Sequence, residues 1–111
     1  MVTDVYFADT KVRNEYNKLK KKKEFQDLYK FVKRAITDIK KNPECGIAIP
    51  KNLIPREYVK KYGINNVYKY DLPNAWRLLY SVSKKGIEII AIILEWCTHK
   101  EYERRFKYRA R

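Results

Sequence analysis

The chain has 111 residues, a length that suits one domain spanning residues 1–111, and 45% of them are hydrophobic, which excludes a disordered tail. Its 26 lysines and arginines against 13 acidic residues give a net charge of +13, which favours a polyanionic partner such as nucleic acid, an anionic membrane surface or an acidic protein. No stretch resembles a signal peptide, and no apolar run approaches the ~20 residues of a membrane span. We therefore expect a cytoplasmic protein that does not act on membranes.

The first half of the chain predicts a strand followed by two helices. Residues 4–8 have strand character, and Thr10 is the expected cap of the helix after them. Residues 20–23 are four lysines, either the solvated end of that helix or a junction to the next one. Residues 42–43, Asn-Pro, end the second helix, because the residue before a proline avoids the helical region. One apolar face marks each helix: Val12, Tyr16 and Leu19 in the first, and Phe25, Leu28, Tyr29, Val32, Ala35, Ile36 and Ile39 in the second.

The middle of the chain predicts two short elements. Residues 47–49 form a possible strand between Gly46 and Pro50. Residues 55–62 have the pattern of a short helix, with a proline at the start and Gly63 just past the end.

From residue 67 onward the apolar pattern changes to a period of two. Strands are predicted over 67–72, 76–83 and 87–94, with turns at 73–74 and 84–86. In the second strand, one face carries Trp76, Leu78, Tyr80 and Val82, and the other carries Arg77, Leu79 and Ser81. A last helix over 98–108 begins with a capping box of Thr98 and Glu101.

These elements predict an α+β domain in which an N-terminal helical hairpin packs on one face of a small antiparallel sheet. A short C-terminal helix lies at the edge of that sheet. We expect the opposite face of the sheet to carry the functional site.

The two cysteines do not form a recognisable metal motif. Cys45 and Cys97 have no second cysteine nearby, and the chain has a single histidine. We expect two buried, reduced thiols, no metal and no cofactor.

The positive charge falls into two blocks. Residues 11–41 hold twelve basic and four acidic residues, and residues 76–111 hold nine and four. The second block ends in residues 104–111, where arginines alternate with aromatic side chains that can stack on unpaired bases. Both blocks are candidates for contact with nucleic acid.

Three residues of the second block form a candidate catalytic set. His99 and Tyr102 are three residues apart on one face of the last helix, whose N-terminus attracts phosphate. Arg77, bracketed by large apolar residues, must reach a cleft or a partner. A base, a cation and a tyrosine suit RNA cleavage by the adjacent 2′-hydroxyl, which needs no metal.

Each of these residues also has a purely structural interpretation. His99 can be a hydrogen-bonded residue at the helix start, and Tyr102 can belong to the core. Arg77 can form a salt bridge, with Glu88 or Glu95 as partner. Glu95, at the end of the last strand, is an alternative general base.

The sequence resembles the RelE/ParE superfamily of toxin–antitoxin toxins. Residues 75–82, Ala-Trp-Arg-Leu-Leu-Tyr-Ser-Val, are similar to the family's strand with an arginine between aromatic and aliphatic residues. An aliphatic strand followed by His99 and Tyr102 is similar to the family's C-terminal segment, and residues 11–41 match its helical hairpin. Residues 46–66 look like an insertion relative to the shortest members.

The resemblance implies a RelE-like mRNA interferase, an endoribonuclease that cleaves mRNA in association with the ribosome. It also implies a partner, an acidic antitoxin whose extended segment wraps the basic toxin. It implies that Arg77 binds phosphate, that His99 is the base or acid, and that Tyr102 orients the substrate. A ParE-like inhibitor of DNA gyrase and a non-catalytic module that binds RNA or DNA remain alternatives. The residues expected to contact RNA are Lys69, Lys100, Arg104, Arg105, Lys20 and Lys22.

Overall fold

The computed structural model describes residues 3–106 and contains five strands and four α-helices within that range. Single turns of 3₁₀ helix follow α1 and β2. The predicted α+β class is confirmed. In chain order the elements are β1 (Thr3–Phe7), α1 (Thr10–Lys21), α2 (Gln26–Lys41), β2 (Ile47–Ala48), α3 (Arg56–Tyr62), β3 (Tyr68–Leu72), β4 (Trp76–Lys85), β5 (Glu88–Thr98) and α4 (His99–Phe106).

The five strands form one sheet in the order β1-β5-β4-β3-β2. β2, β3, β4 and β5 pair antiparallel, but β1 runs parallel to β5, so the sheet is mixed rather than purely antiparallel. The difference arises because the chain leaves β1 through both helices before the rest of the sheet forms, and a crossover of that length permits a parallel neighbour.

The N-terminal helices cover one face of the sheet, as predicted. Val32, Ala35 and Ile39 on α2 are fully buried against the sheet. Phe25 departs from the predicted stripe and is 38% exposed, because it precedes the first turn of α2. These helices and the sheet form a first apolar core. The sheet contributes to it Leu72, Leu78, Tyr80, Val82, Ala91 and Ile93.

The other face of the sheet, where the functional site is expected, is covered as well. Residues 49–67, including α3, and helix α4 form a second apolar core there. An apolar sheet face requires such a cover, and the middle segment provides it. The buried members of this core are Ile49, Ile54, Tyr58, Ile64, Val67, Leu79, Leu94, Cys97 and Phe106.

A β-bulge interrupts the pairing of β4 with β5. Leu79 pairs with Glu95, whereas the next residue, Tyr80, pairs with Ile93, so Leu94 is the extra residue. Bulges redirect the side chains that follow them. Leu94 lies in the second core, and Glu95 also points to that side, where it contacts Tyr58.

Two predicted details of the connections are corrected. Asp9, not Thr10, caps α1, since the backbone N–H of Val12 donates to Asp9 Oδ1 at 2.9 Å. The turn between β4 and β5 consists of Gly86 and Ile87, because Lys84 and Lys85 still pair with β5.

Helix α4 begins directly at the end of β5, and the predicted capping box is confirmed. Thr98 Oγ1 accepts the N–H of Glu101, and Glu101 Oε1 accepts the N–H of Thr98 at 2.9 Å. The latter bond is the main cause that lowers the pKa of Glu101. The N–H of His99 donates to the carbonyl of Ala75, at 2.7 Å, which ties the start of α4 to the β3–β4 turn.

The expectation of two buried thiols is right for Cys97, which is 1% exposed, and wrong for Cys45, which is exposed. Cys45 lies in the connection between α2 and β2, and β2 is an edge strand of the sheet.

Within residues 3–106 we find no helix long and apolar enough to cross a membrane.

The capping box gives a first testable prediction. We expect Thr98→Ala to lower the free energy of unfolding by about 1 kcal/mol, because it removes the acceptor of the Glu101 N–H. Urea unfolding followed by circular dichroism measures this change. Thr37→Ala, at an exposed site on α2, is the control and should cost clearly less. Equal losses in the two variants would contradict the role of Thr98.

The cysteines give a second prediction. Partial burial raises the pKa of Cys45, and deep burial raises the pKa of Cys97 to about 12. In the folded protein we expect a thiol-specific disulfide reagent to label one thiol, at a rate that rises with pH as the Cys45 thiolate forms. Cys45→Ser should abolish this labelling until the protein is unfolded. Labelling of folded Cys45→Ser would contradict the burial of Cys97 beneath α4.

Candidate functional site

Three elements meet at one end of the sheet: β3, β4 and the first turns of α4. The β3–β4 register pairs Asp71 with Arg77 and Lys69 with Leu79. Leu79 belongs to the core beneath α4, and alternate residues of a strand share a face. Lys69, Asp71 and Arg77 therefore lie on the α4 side of the sheet, next to His99 and Tyr102. We call these five residues the α4 site.

Arg77 is the centre of the α4 site, with a side chain that is 16% exposed. Its Nη2 lies 3.0 Å from His99 Nδ1, and its Nη1 donates to the carbonyl of Trp76 at 3.3 Å. Its Nε is buried and lies 3.0 Å from Asp71 Oδ1, an ion pair without the alignment of a hydrogen bond. Arg77 thus forms a salt bridge, as its structural interpretation proposed, but the partner is Asp71 and not Glu88 or Glu95.

His99 is the first residue of α4, and about half of its side chain is exposed. Its two ring nitrogens face groups of opposite charge. Nδ1 faces the Arg77 guanidinium, and Nε2 lies 2.5 Å from Glu103 Oε1, one helical turn further along α4. The imidazole is therefore held from both sides at the rim of the site.

Tyr102 belongs both to the core and to the α4 site. Its ring stacks on Phe106 with centroids 4.6 Å apart. Lys69 Nζ lies 5.6 Å and the Arg77 guanidinium carbon 5.9 Å from the ring centroid, within the range of cation–π attraction. Burial raises the pKa of the Tyr102 hydroxyl, while Arg77 acts in the opposite direction. The hydroxyl is therefore protonated near neutral pH.

The structure brings some of the sequence-predicted residues together and separates others. Arg77, His99, Tyr102 and Lys69 are in contact, and Lys69 also pairs with Asp71 at 3.4 Å. Lys100 and Arg104 are exposed on α4. Lys20 and Lys22 lie at the end of α1, in the helical layer on the other side of the sheet. Of the basic and aromatic tail over 104–111, residues 107–111 lie outside the described residues.

Arg105 and Glu95 belong to a separate cleft of about 540 Å³ between α1, α3 and α4. Arg105 Nη1 donates to Glu95 Oε1 at 2.8 Å, and the Tyr58 hydroxyl donates to Glu95 Oε2. Burial and the adjacent carboxylate raise the pKa of Tyr58 well above its usual range. Both oxygens of Glu95 already accept hydrogen bonds, which disfavours it as a general base.

Sequence reasoning missed Asp71 and Glu103, although each had a signal. Glu103 follows His99 by four residues in a predicted helix, and such residues are neighbours. Asp71 and Arg77 are equidistant from residue 74, the midpoint between the predicted strands 67–72 and 76–83, and an antiparallel register places such residues opposite each other. Among residues 3–106, we find no group of three or more His, Cys, Asp or Glu side chains placed to hold a metal ion.

We find no family model, no curated protein and no solved structure that matches the chain.

Proposed function

We propose that the chain is a RelE-like toxin of a toxin–antitoxin pair that cleaves mRNA at the α4 site without a metal ion. The observation that carries the proposal is the 3.0 Å contact between Arg77 and the His99 imidazole, with the Tyr102 ring beside them. A fixed cation next to an imidazole is what cleavage by the adjacent 2′-hydroxyl requires.

In the proposed reaction the imidazole of His99 accepts the proton of the 2′-hydroxyl. The 2′-oxygen attacks the adjacent phosphorus, the bond from phosphorus to the 5′-oxygen breaks, and the departing oxygen takes a proton from solvent. The products are a 2′,3′-cyclic phosphate and a 5′-hydroxyl end. Arg77 binds the phosphate and stabilises the charge that develops on it.

The surroundings of the α4 site suit a single strand of RNA. Lys69 lies over the Tyr102 ring, where its ammonium group can meet a phosphate. Lys100 and Arg104 are exposed on the same short helix and can contact the backbone on either side. The net charge of +13 also suits an acidic antitoxin and the ribosome as partners in the cytoplasm.

One observation favours a second candidate, a non-catalytic module that binds RNA on the same surface. Both ring nitrogens of His99 already face a charged side chain, Arg77 on one side and Glu103 on the other. A general base needs a lone pair that the substrate can reach. If the protein is an endoribonuclease, removal of the imidazole abolishes strand cleavage. If it only binds RNA, removal of the imidazole leaves that binding unchanged.

Mapping of mRNA ends after expression tests the first candidate. We expect His99→Ala and Arg77→Ala each to reduce cleavage by about 10²–10⁴-fold, because each removes a group that acts in the transition state. Arg13→Ala, an exposed arginine on α1, is the control and should cleave normally.

Two outcomes would contradict this assignment. Full cleavage by His99→Ala, with an unchanged thermal midpoint, would remove the imidazole from the mechanism. Intact mRNA in cells arrested by the wild-type protein would exclude cleavage and favour a ParE-like effect on gyrase.

Salt dependence tests where RNA contacts the protein. If Lys20 and Lys22 neutralise phosphates, changing both to Gln should reduce the slope of log K against log salt by about 1.4 for single-stranded RNA. The control variant replaces both Lys51 and Lys60 by Gln, and its slope should equal that of the wild type. These two lysines are exposed on the other side of the sheet. Filter binding at several salt concentrations measures the slopes. Equal slopes for all three proteins would exclude Lys20 and Lys22 from the interface.

A further inference from the structure

We propose that Glu103 and Arg77 together select Nδ1 of His99 as the proton-accepting atom, and that a bound phosphate uncovers it by drawing Arg77 away. This proposal rests on the proposed function of the α4 site. Glu103 is a positioning residue in it, whereas His99 and Arg77 touch the substrate.

The donors and acceptors around the imidazole determine the tautomer of His99. A guanidinium can only donate hydrogen bonds, so the 3.0 Å contact with Arg77 Nη2 requires His99 Nδ1 to accept. In the neutral ring the proton is then on Nε2. Nε2 lies 2.5 Å from the Glu103 carboxylate, which can only accept when ionised. The two contacts therefore require the same tautomer, with its lone pair on Nδ1.

The position of that lone pair decides which substrate group it can meet. Nδ1 points towards β4 and Arg77, while Nε2 and Glu103 lie along α4. A phosphate bound by Arg77 would therefore bring its neighbouring 2′-hydroxyl to Nδ1, and not to Nε2. The carboxylate of Glu103 would stay in contact with Nε2 and stabilise the imidazolium that forms.

Before Nδ1 can accept a proton, it must be released from its contact with Arg77. In the free protein the guanidinium covers Nδ1, so the base is not available. A phosphate is a stronger, charged acceptor for a guanidinium than a neutral imidazole is. Asp71 contacts Nε of Arg77 and leaves the guanidinium tethered to β3 while its Nη2 changes partner. Substrate binding would thus assemble the base as well as the phosphate clamp.

Nitrogen NMR of the intact protein tests the proposal directly. The chain has one histidine, so all imidazole nitrogen signals belong to His99. We expect the free protein, at a pH where the ring is neutral, to show a protonated Nε2 and a hydrogen-bonded, unprotonated Nδ1. Arg77→Met should move the Nδ1 signal towards that of a free lone pair, and Glu103→Leu should move the Nε2 signal. The matched controls Arg34→Met and Glu88→Leu, both at exposed sites, should move neither signal.

A short single-stranded oligodeoxynucleotide, which lacks the 2′-hydroxyl and cannot be cleaved, tests the release. At low salt we expect it to shift Nδ1 in the same direction as Arg77→Met does, with Nε2 still paired to Glu103. A proton on Nδ1 in the free protein, or an Nδ1 signal that stays constant when the oligonucleotide binds, would overturn the proposal. An oligonucleotide that does not bind at all would overturn the release step too.

Cleavage kinetics separate this proposal from the proposed function. If the wild type cleaves RNA, Glu103→Leu should lower kcat by about 10–100-fold with little change in KM, and Glu103→Gln, which keeps an acceptor, should recover part of it. A change in KM alone would overturn the positioning role of Glu103. If the wild type does not cleave, the proposed function fails, while the NMR assignments still decide which nitrogen carries the proton.

Discussion

The pairing of β4 with β5 is the constraint on which the α4 site depends. The ladder runs from Lys85 and Glu88 at the turn to Trp76 and Thr98 at the other end. Because α4 starts at the residue after Thr98, the ladder fixes the start of this helix against the start of β4. The hydrogen bond from the His99 N–H to the Ala75 carbonyl completes the junction. Two side chains that are 22 positions apart, those of Arg77 and His99, thereby come within hydrogen-bond distance.

Much of this arrangement could be predicted from local patterns. The period of two in β4 separates Arg77 and Leu79 from the face that packs on the N-terminal helices, and the capping box places the first turn of α4. The ion pair of Arg77 with Asp71 was accessible in the same way, from the register that a short turn imposes. What periodicity could not give is the choice among carboxylates, since Glu88 and Glu95 are equally plausible partners until the register is known.

The rest depended on contacts between distant segments. A strict period of two would turn Glu95 towards the same core as Ile93, and only the bulge at Leu94 directs it to the side of Tyr58 and Arg105. Likewise, the apolar side chains of residues 49–67 are irregularly spaced, so the sequence of this segment does not show that it covers the second face of the sheet. Local propensity does not report which surface such a segment covers.

The two blocks of positive charge differ in their surroundings, and this difference bears on how the protein could recognise RNA. Lysines 20–23 are exposed, and this environment suits screened, sequence-independent attraction to phosphates. Elsewhere, cations face carboxylates: Arg77 and Lys69 face Asp71 in the α4 site, and Arg105 faces Glu95 in the separate cleft. Such pairing reduces the local surplus of charge and holds each cation in one geometry. A phosphate would therefore be attracted to the molecule mainly by the helical hairpin, but oriented at the α4 site, where Asp71 holds Arg77 at β3 while Nη2 of Arg77 changes partner from His99 to the phosphate.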